Sequence, residues 1–466
     1  MMRLNPVAPN RLAGRGTAPA TNARLPRTRE ATASAIAAAI LLANAAFIVV
    51  LWLRGGGVSG VHGMADLLTS LGRITGLLGA YLLLIQVLLL ARLRRIERLV
   101  GYDRLTVWHR INGKICLYLV LAHVVLITIG YALLDRISIP SQVSSLFGTY
   151  PDMIQAGIGT ALIVLVAVSS IVIVRRRLRY ETWYLVHLTA YAGIFLGWLH
   201  QIPTGNEFIT NSAAAAYWTA LYLVTLALVI LFRLAQPALH AFRYQLRVAE
   251  VNQESPTVVS LRITGRHLDR MGARAGQFFL WRFVTWRLVW QSHPFSLSAA
   301  PDGQSLRITV KSLGDFTSRI SEIRPGTRVV GVGPFGLFTD AVRRRDRVVL
   351  IAGGVGITPI RSLLEEMSGD LVLIYRVVHD TEIVFRAELE ALAQERGTRL
   401  CYVTGDHRAP GGEQLMSSDH LRELIPDIAQ REVYVCGPPA MSSAVESQVR
   451  RAGVPPRYIH NESFAY

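Results

Sequence analysis

Six apolar runs fill the chain before residue 235, and each is about as long as a helix that crosses a bilayer. The hydrocarbon core of a membrane requires roughly 20 apolar residues in helical form. The connections between the runs are short, so neighbouring helices should pack antiparallel. The pattern predicts a membrane α-helical bundle of six transmembrane helices over residues 31–234, with a lipid bilayer as its partner. The runs are 31–53, 67–91, 105–131, 154–174, 182–200 and 213–234.

The formal net charge of +17 is distributed unevenly around these runs. Fifteen arginines lie in the N-terminal tail and in the loops after the second and fourth runs, whereas the alternate loops carry only Arg54 and Arg136. By the positive-inside rule, we expect a multi-pass cell-membrane protein with its N-terminus and its C-terminal half in the cytoplasm. The fifteen are Arg3, Arg11, Arg15, Arg24, Arg27, Arg29, Arg92, Arg94, Arg95, Arg98, Arg104, Arg175, Arg176, Arg177 and Arg179.

The same placement argues against nucleic acid as a partner, because no basic motif is interleaved with aromatic residues. The tail, residues 1–30, is rich in proline, arginine and small residues and is expected to be a disordered basic cytoplasmic segment. The three cysteines suggest no pairing, and the chain lacks a CxxCH motif. Any haem is therefore bound without a covalent link.

After residue 243 the sequence has the texture of a soluble protein. Residues 243–338 form short β-rich runs separated by turn signals, which predicts a small antiparallel barrel. From residue 347 to 466, strand and helix patterns alternate, which predicts a doubly wound α/β domain with a parallel sheet.

Two pairs of histidines lie within the apolar runs: His109 and His123 in the third, and His187 and His200 in the fifth. Ionisable residues are costly inside a membrane and usually have a function there. Spacings of 14 and 13 residues separate the members of each run by roughly 20 Å. Because both helices run in the same direction, His109 should face His187 near the inner side, and His123 should face His200 near the outer side. Each pair can supply two axial imidazoles to one haem iron.

The fifth run fits this prediction less well, because 13 residues leave His187 and His200 about 140° out of phase on an ideal helix. A bend or bulge at Gly193 or Gly197, or a looser helix end at His200, would correct the phase. The alternatives are hydrogen-bonded packing histidines or a zinc site, and the separation within each run argues against zinc. Arg73, near the outer side, either pairs with a haem propionate or extends to the headgroups.

His293-Pro294-Phe295-Ser296 and Gly314-Asp315-Phe316-Thr317 stand in the β-rich region. Together with the histidine pairs, these motifs resemble the ferric reductase and NADPH oxidase superfamily over about residues 65–466. The resemblance implies a ferredoxin-reductase-like half that binds FAD. His293, Pro294, Phe295 and Ser296 would then line the flavin ring, and Gly314 and Thr317 would bind the pyrophosphate. Soluble relatives carry arginine at the position of His293, so Lys311 is expected to meet the phosphate charge.

A glycine-rich segment, Gly353-Gly354-Val355-Gly356-Ile357-Thr358-Pro359, joins a predicted buried strand to a helix. Glycines allow the backbone to approach a pyrophosphate, and the helix N-terminus offers free N–H groups. Cys436-Gly437-Pro438 ends the last predicted strand, where doubly wound sheets bind ligands. The resemblance places this second segment beside the nicotinamide, with Cys436 in a catalytic position. The expected NAD(P)H contacts are Gly353, Gly354, Gly356, Thr358, Pro359, Cys436, Gly437 and Pro438.

Two further predictions concern the nucleotide and the flavin. Arg376 follows the second strand of this domain, where it would meet a 2′-phosphate, although it could instead pair with Asp380 or Glu382, so the choice between NADPH and NADH stays open. The resemblance also implies that a C-terminal aromatic residue covers the flavin and must move for hydride transfer. We expect Phe464 in this role, with Tyr466 as the alternative.

The sequence therefore predicts an oxidoreductase that passes electrons from cytosolic NAD(P)H through FAD and two b-type haems to an external small-molecule acceptor. Ferric chelate and dioxygen are the leading acceptors, and the scarcity of charged groups on the outer loops mildly favours a small one. The alternative is a haem-binding membrane sensor or scaffold with a non-catalytic nucleotide half. The sequence leaves the oligomeric state open.

Overall fold

The computed structural model describes residues 27–93, 96–97, 100, 102–175, 177–178 and 180–463. The chain divides into two compact units, with the boundary between Gln236 and Pro237. The first unit is helical, and the second contains all the β-strands.

The helical unit contains long apolar helices joined by short turns. Its helices are α1 Arg27–Arg54, α2 Met64–Leu89, α3 Tyr102–Asp135, α4 Ile139–Thr149, α5 Met153–Ser169, α6 Val172–Arg175, α7 Tyr180–Leu199, α8 Gln201–Thr204, α9 Asn206–Ile209 and α10 Ser212–Val229. A π-helical segment, Ile230–Ala235, continues α10 into α11, Gln236–Tyr244.

Every predicted apolar run falls on helix, but the predicted number of spans is not confirmed. Among the described residues, three helices are long and apolar enough to cross a membrane: Met64–Leu89, Arg104–Asp135 and Ser212–Tyr244. The pair α4 and α5, bent by 115°, would make a fourth span. Within the described ranges the finding is thus an N-terminal helical domain with three or four such helices, and six spans stay a prediction.

Helices α2 and α3 pack antiparallel along a row of glycines. A Cβ added at Gly72 would lie 2.8 Å from the side chain of Ile127, and one added at Gly130 would lie 2.6 Å from Thr69. Small residues let helix backbones approach closely in a membrane, where packing rather than water exclusion drives association. The close approach fixes the face of α3 that α2 covers.

Helices α5 and α7 pack in the same way at Gly159 and Gly193. A Cβ added at Gly159 would lie 2.7 Å from the carbonyl oxygen of Gly193. Gly193 therefore serves close packing, and α7 continues unbroken through it to Leu199. The helix is thus not interrupted at Gly193 or Gly197, where a bend or bulge is one of the expected ways to correct the phase.

The second unit begins with two three-stranded antiparallel sheets that enclose one apolar core. The strands are ordered β1-β2-β5 and β4-β3-β6. Bridges between Leu297 and Ile308, and between Arg247 and Arg328, join the sheets at their corners, as the predicted barrel requires. The elements are β1 Arg247–Ser255, β2 Val258–Thr264, β3 Phe278–Phe283, β4 His293–Ser296, β5 Ser305–Lys311, the short helix α12 Asp315–Ser318 and β6 Val329–Phe335.

A five-stranded parallel sheet follows, in the order β11-β10-β7-β8-β9. Its two faces are covered by separate apolar clusters, as in a doubly wound domain. The elements are β7 Arg347–Gly353, α13 Ile357–Glu366, β8 Asp370–Val377, α14 Arg386–Arg396, β9 Arg399–Thr404, α15 Ser418–Leu424, β10 Glu432–Gly437, α16 Pro439–Arg451 and β11 Ile459–Ser463. The predicted ferredoxin-reductase-like arrangement of the two lobes is confirmed.

Candidate functional site

The four membrane histidines form two opposed pairs, each with one ring from α3 and the other from α7 or the residue directly after it, and with ring planes tilted by 47° and 34°. The ring centroids of His109 and His187 lie 6.1 Å apart. Those of His123 and His200 lie 6.4 Å apart. The pairing is the one that the spacing predicts.

The geometry of each pair fits a metal ion held between the two rings. Imidazole nitrogen binds a first-row metal ion such as zinc at about 2.0–2.1 Å, which places the centroids of two opposed rings about 6.3 Å apart. Both observed separations agree with this value. The described residues contain no group of three or more His, Cys, Asp or Glu that could hold a metal. Two opposed imidazoles would suit a haem iron, which needs only two ligands from the protein.

Helix α2 orients the two rings on α3. His109 Nδ1 lies 3.1 Å from the carbonyl oxygen of Gln86, and the Gln86 amide donates to the His109 carbonyl at 2.9 Å. His123 Nδ1 lies 2.8 Å from the carbonyl oxygen of Gly72. With Nδ1 carrying the proton for the carbonyl, Nε2 is left with its lone pair free to bind a metal. No pattern in the sequence indicates these partners, because they are backbone carbonyls on another helix.

The ring of His200 reaches its partner from just beyond the end of a helix. Helix α7 ends at Leu199, and His200 stands in the turn before α8 with φ −74° and ψ −20°. The neighbouring Gln201 is held by several hydrogen bonds. Its Oε1 accepts from Trp218 Nε1 at 2.7 Å and from the Tyr222 hydroxyl at 3.1 Å. Its amide donates to the Gly197 carbonyl at 3.0 Å. The predicted looser helix end, rather than an internal bend, accommodates the 13-residue spacing.

A cavity of about 430 Å³ opens beside the His123–His200 pair. This volume falls within the range typical of ligand sites, about 300–1,000 Å³. Its wall is mainly apolar and includes six glycines, Gly76, Gly157, Gly159, Gly193, Gly197 and Gly205. At Gly197 an added Cβ would meet nothing within 4 Å.

Arg73 lies on the wall of this cavity, but its guanidinium is already engaged. It pairs with Glu207 through Nε at 2.9 Å and through Nη2, and Nη2 also donates to the Gly55 carbonyl at 2.8 Å. The Glu207 side chain is only 3% exposed, whereas that of Arg73 is 21% exposed. Neither predicted partner, propionate nor headgroup, accounts for this ion pair, and a propionate contact would have to share the guanidinium with Glu207.

Changing Gly76 to alanine tests whether the space beside His123 is needed. A Cβ at this position would lie 2.5 Å from His123 Nδ1, closer than real atoms approach, so the ring must move. We expect G76A to lose one of two bound haems, measured as haem per polypeptide. The matched control is G79A on the same helix, where the added Cβ would lie 3.3 Å from Leu119. Equal haem loss in both variants would show a general effect of alanine on α2.

The predicted flavin motif forms a strand whose aromatic rings are stacked. His293 on β4 lies against Phe316, with ring centroids 3.8 Å apart and planes 26° apart. Burial lowers the pKa of His293 to about 4, so the ring is neutral near pH 7 and adds no positive charge for a phosphate. The Ser296 hydroxyl is buried and has no hydrogen-bond partner among the described residues, which fits a contact with a ligand. Pro294 is exposed, and Phe295 is half-buried.

The predicted pyrophosphate segment forms the N-terminus of the short helix α12. Thr317 Oγ1 accepts from the backbone N–H groups of Leu313 and Gly314 at 2.9 and 3.0 Å. The hydroxyl therefore caps its own helix as well as being the expected phosphate ligand. Lys311 ends β5, three residues before Gly314, and is half-buried. Its predicted role stays a prediction.

The glycine-rich turn and the Cys-Gly-Pro segment meet at the carboxyl edge of the parallel sheet. A Cβ at Gly356 would lie 2.2 Å from the Cys436 carbonyl oxygen. A Cβ at Gly353 would lie 1.9 Å from the sulfur of Met441, one turn into α16. Gly354, with φ +53°, occupies the left-handed region. The contact brings the glycine-rich turn and the Cys-Gly-Pro segment together. Only glycine fits where their backbones approach so closely.

Other predicted nucleotide residues are placed around the same edge. Thr358 and Pro359 lie in the first turn of α13, and both are buried. The Thr358 hydroxyl donates to the Val355 carbonyl at 3.1 Å. Pro438 precedes α16 as its N-cap. The described structure stops at Ser463, so the predicted flavin cover, Phe464 or Tyr466, lies outside the described residues.

Two predicted side-chain roles disagree with the packing. The Cys436 thiol is fully buried, and burial followed by the nearby Glu462 charge raises its pKa well above the usual value. The thiol therefore cannot contact a nicotinamide as packed here, although the Cys436 backbone lies at the edge. Arg376 is 9% exposed, and its guanidinium donates to the carbonyls of Val377, Val403 and Gly405. It ties strand ends together rather than facing a 2′-phosphate, because burial in the sheet leaves it little access to solvent.

An ion-pair network links the barrel lobe to the nucleotide lobe within the second unit. Glu388 accepts from Arg307 of the barrel at 2.9 Å through both oxygens. It also accepts from Arg361 Nε at 2.7 Å, and Arg361 donates to the Ser298 carbonyl at 2.9 Å. Burial raises the pKa of Glu388, but the bonds from Arg307 and the charges of both arginines outweigh it and lower the pKa. The stabilisation is thus present above the ordinary carboxyl pKa and is lost as the pH falls through the lowered one.

Changing Glu388 to glutamine should loosen this link between the lobes. Because its side chain is 38% exposed, we expect a loss of only about 1 kcal/mol. For a unit of this size that lowers the melting temperature by roughly 2–4 °C. Thermal unfolding followed by flavin fluorescence checks this. The matched control is E390Q, whose contact with Arg386 is 3.9 Å long and exposed; an equal shift in the control would contradict the assignment.

Family comparisons divide the chain in the same places as the structure. Residues 75–198 match a family described as the ferric reductase like transmembrane component. Residues 243–326 match a FAD-binding domain, and residues 350–447 match an oxidoreductase NAD-binding domain. The first match includes three of the four paired histidines, His109, His123 and His187, and ends two residues before His200.

Three similar proteins each match slightly less than half of the chain. The ferredoxin reductase component of 3-ketosteroid-9-alpha-monooxygenase from Mycolicibacterium smegmatis is 32% identical over 233 residues, 47% of this chain and 65% of that protein. The toluate 1,2-dioxygenase electron transfer component from Pseudomonas putida is 29% identical, over 48% of this chain and 68% of that protein. The flavohem-like FAD/NAD binding domain of a nitric oxide dioxygenase from Vibrio cholerae covers 47% of this chain and 98% of that domain, with 26% identity and a TM-score of 0.39.

Proposed function

We propose that this chain, which has the domain architecture of the ferric reductase and NADPH oxidase superfamily, is a transmembrane oxidoreductase. It passes electrons from NAD(P)H through FAD and two b-type haems to an acceptor on the opposite side of the membrane. The observation that supports this proposal most strongly is the presence of two opposed histidine pairs in the same chain as the FAD-binding and NAD-binding domains. The ring centroids in these pairs lie 6.1 and 6.4 Å apart. Flavin-dependent electron transfer by a membrane protein is the part that the family matches establish.

The residues of the chain would bind and orient the cofactors. When bound, the flavin accepts a hydride and releases single electrons, and the haems relay them. His109 and His187 would hold the inner haem, and His123 and His200 the outer one, with Gln86 and Gly72 fixing the ring orientation on α3. His293, Phe295 and Ser296 would face the flavin ring.

The nucleotide would lie at the edge where Gly356 meets the Cys436 carbonyl. The N-terminus of α13 offers backbone N–H groups to its pyrophosphate. With Arg376 occupied by carbonyls, we expect little discrimination by this residue between NADPH and NADH. The aromatic tail, Phe464 or Tyr466, is proposed to cover the flavin until the nicotinamide displaces it.

The proposal also includes the orientation of the chain in the membrane and the identity of the electron acceptor. The arginine distribution supports six spans, with the N-terminus and the dehydrogenase unit in the cytoplasm. The named relatives are reductase components of oxygenases, which supports electron delivery to a separate acceptor. We propose that in this chain the two histidine pairs would hold haems on the path from the flavin, and that dioxygen or a ferric chelate would be the acceptor outside.

Sealed vesicles with NADPH enclosed on the dehydrogenase side test the function. We expect either superoxide or iron(II) to form outside, with dioxygen or a ferric chelate as the external acceptor. A probe sensitive to superoxide dismutase identifies the first product, and a ferrous chelator identifies the second. Absence of both products, with intact NADPH oxidation by ferricyanide inside, would contradict transmembrane transfer.

A further inference from the structure

The loop between β3 and β4 presents two tryptophans to solvent. Trp286 is 87% exposed and Trp290 is 70% exposed. Leu288, between them, is 3% exposed and belongs to the barrel core. The loop is therefore anchored by its centre, and the two rings are held outward. Soluble proteins rarely expose large apolar groups together unless they meet a partner.

A groove of about 370 Å³ lies at the foot of this loop. Three arginines line it, Arg287, Arg319 and Arg324, with the hydroxyl residues Thr285 and Thr327 beside them. Glu322 is the one acidic residue of the lining. Within the part of the chain that the structure describes, the three guanidinium groups form no ion pair with an acid, so the groove keeps its positive charge.

We propose that the groove and the two tryptophans form a docking site for an anionic phospholipid of the inner leaflet. Guanidinium groups bind phosphate through charge-assisted hydrogen bonds. Indole rings favour the level of the headgroups, where one edge is apolar and the other is wet. The site combines guanidinium groups with indole rings, and Trp286 lines the groove itself. The inference rests on the proposed placement of this unit on the cytoplasmic side.

Charge decides between a lipid and the chain's own helical unit as the occupant. The cytoplasmic loops proposed for that unit carry arginines such as Arg92, Arg104 and Arg175, and an arginine-lined groove repels them. The anionic inner leaflet attracts both these loops and the groove. Free phosphate would satisfy the arginines but would leave the tryptophans in water.

Tryptophan emission of the full-length holoprotein in nanodiscs tests the docking. The discs contain phosphatidylcholine alone or mixed with phosphatidylglycerol, with brominated acyl chains as quenchers. The difference between the wild type and W286F/W290F isolates the emission of this pair from the other tryptophans. We expect that emission to be quenched in the anionic discs, less so in the neutral discs, and restored by salt.

A second comparison tests the role of the three arginines that line the groove. R287Q/R319Q/R324Q should weaken the docking equilibrium, on the order of fivefold for each charge removed, and the quenching should fall as a result. The matched control R266Q/R270Q/R408Q removes three exposed arginines outside the groove and should behave as the wild type. Both sets need the same FAD content as the wild type.

Three results would overturn the proposal. The first is an emission difference that no brominated lipid quenches, which would place the loop against protein or in water. The second is full reversal of quenching by millimolar inorganic phosphate at constant ionic strength, which would indicate a free-anion site. The third is loss of FAD in R287Q/R319Q/R324Q, which would assign the arginines to the flavin. Because the readout is emission rather than haem reduction, failure of the proposed electron transfer would be seen separately.

Discussion

Replacing His200 by leucine is expected to remove one of the two haems and leave the other bound. The substitution deletes one of two opposed imidazoles at 6.4 Å, so His123 alone would hold the iron. The other pair lies roughly 20 Å away along the same helices and is not touched. Haem per polypeptide, measured after extraction, should fall from two to one. The control H62L changes an exposed histidine outside the pairs and should keep both.

The reciprocal variant H187L sharpens this expectation. It should also lose one haem, but the haem that remains would be the one farther from the flavin. NADPH should therefore still reduce the remaining haem of H200L and should reduce that of H187L far more slowly. Rapid mixing with absorbance detection gives the two rates. Wild-type haem content in either variant, or equal rates in both, would contradict the assignment of ligands and their order.

Replacing Gly356 by valine is expected to abolish entry of electrons from the nucleotide. Its Cβ would lie 2.2 Å from the Cys436 carbonyl oxygen and 2.8 Å from the Gly437 Cα, and backbone atoms cannot move aside as a flexible side chain does. The turn must shift, and misplacement by about 1 Å typically costs roughly 100-fold in rate. Flavin reduction by NADPH under anaerobic conditions measures the loss.

The same variant should keep its cofactors, because the substitution lies in the nucleotide lobe. FAD content and haem reduction by dithionite are expected to match the wild type. G148V is the matched control, since a Cβ at Gly148 in α4 would meet nothing within 4 Å. Full NADPH-driven flavin reduction in G356V would show that the nucleotide does not use this edge.

Features set by periodicity and local motif were predictable from the sequence. The pairing of His109 with His187 follows from residue counting on helices, and the parallel sheet follows from the alternation of strands and helices after residue 347. The contact between Gly356 and Cys436 follows from the rule that strand ends in such a sheet meet at one edge.

Features that depend on a partner distant in the chain were not predictable. The carbonyls of Gln86 and Gly72 that orient the α3 histidines belong to another helix, and the backbone carries no sequence signal. Glu207, which engages Arg73, is 134 residues away. Arg376 is a further example, because its guanidinium is held by carbonyls at the end of β9 and just after it, 27 and 29 residues further along the chain.

The most direct test of the proposed electron path is the absorbance of the haems when NADPH is added. The purified chain, loaded with FAD and haem, is mixed with NADPH in the absence of dioxygen. The proposed path from nucleotide to flavin to the histidine pairs predicts that the α-band of reduced b-type haem appears, and that it does so far more slowly in G356V. Haem spectra that stay oxidised while the flavin becomes reduced would contradict it.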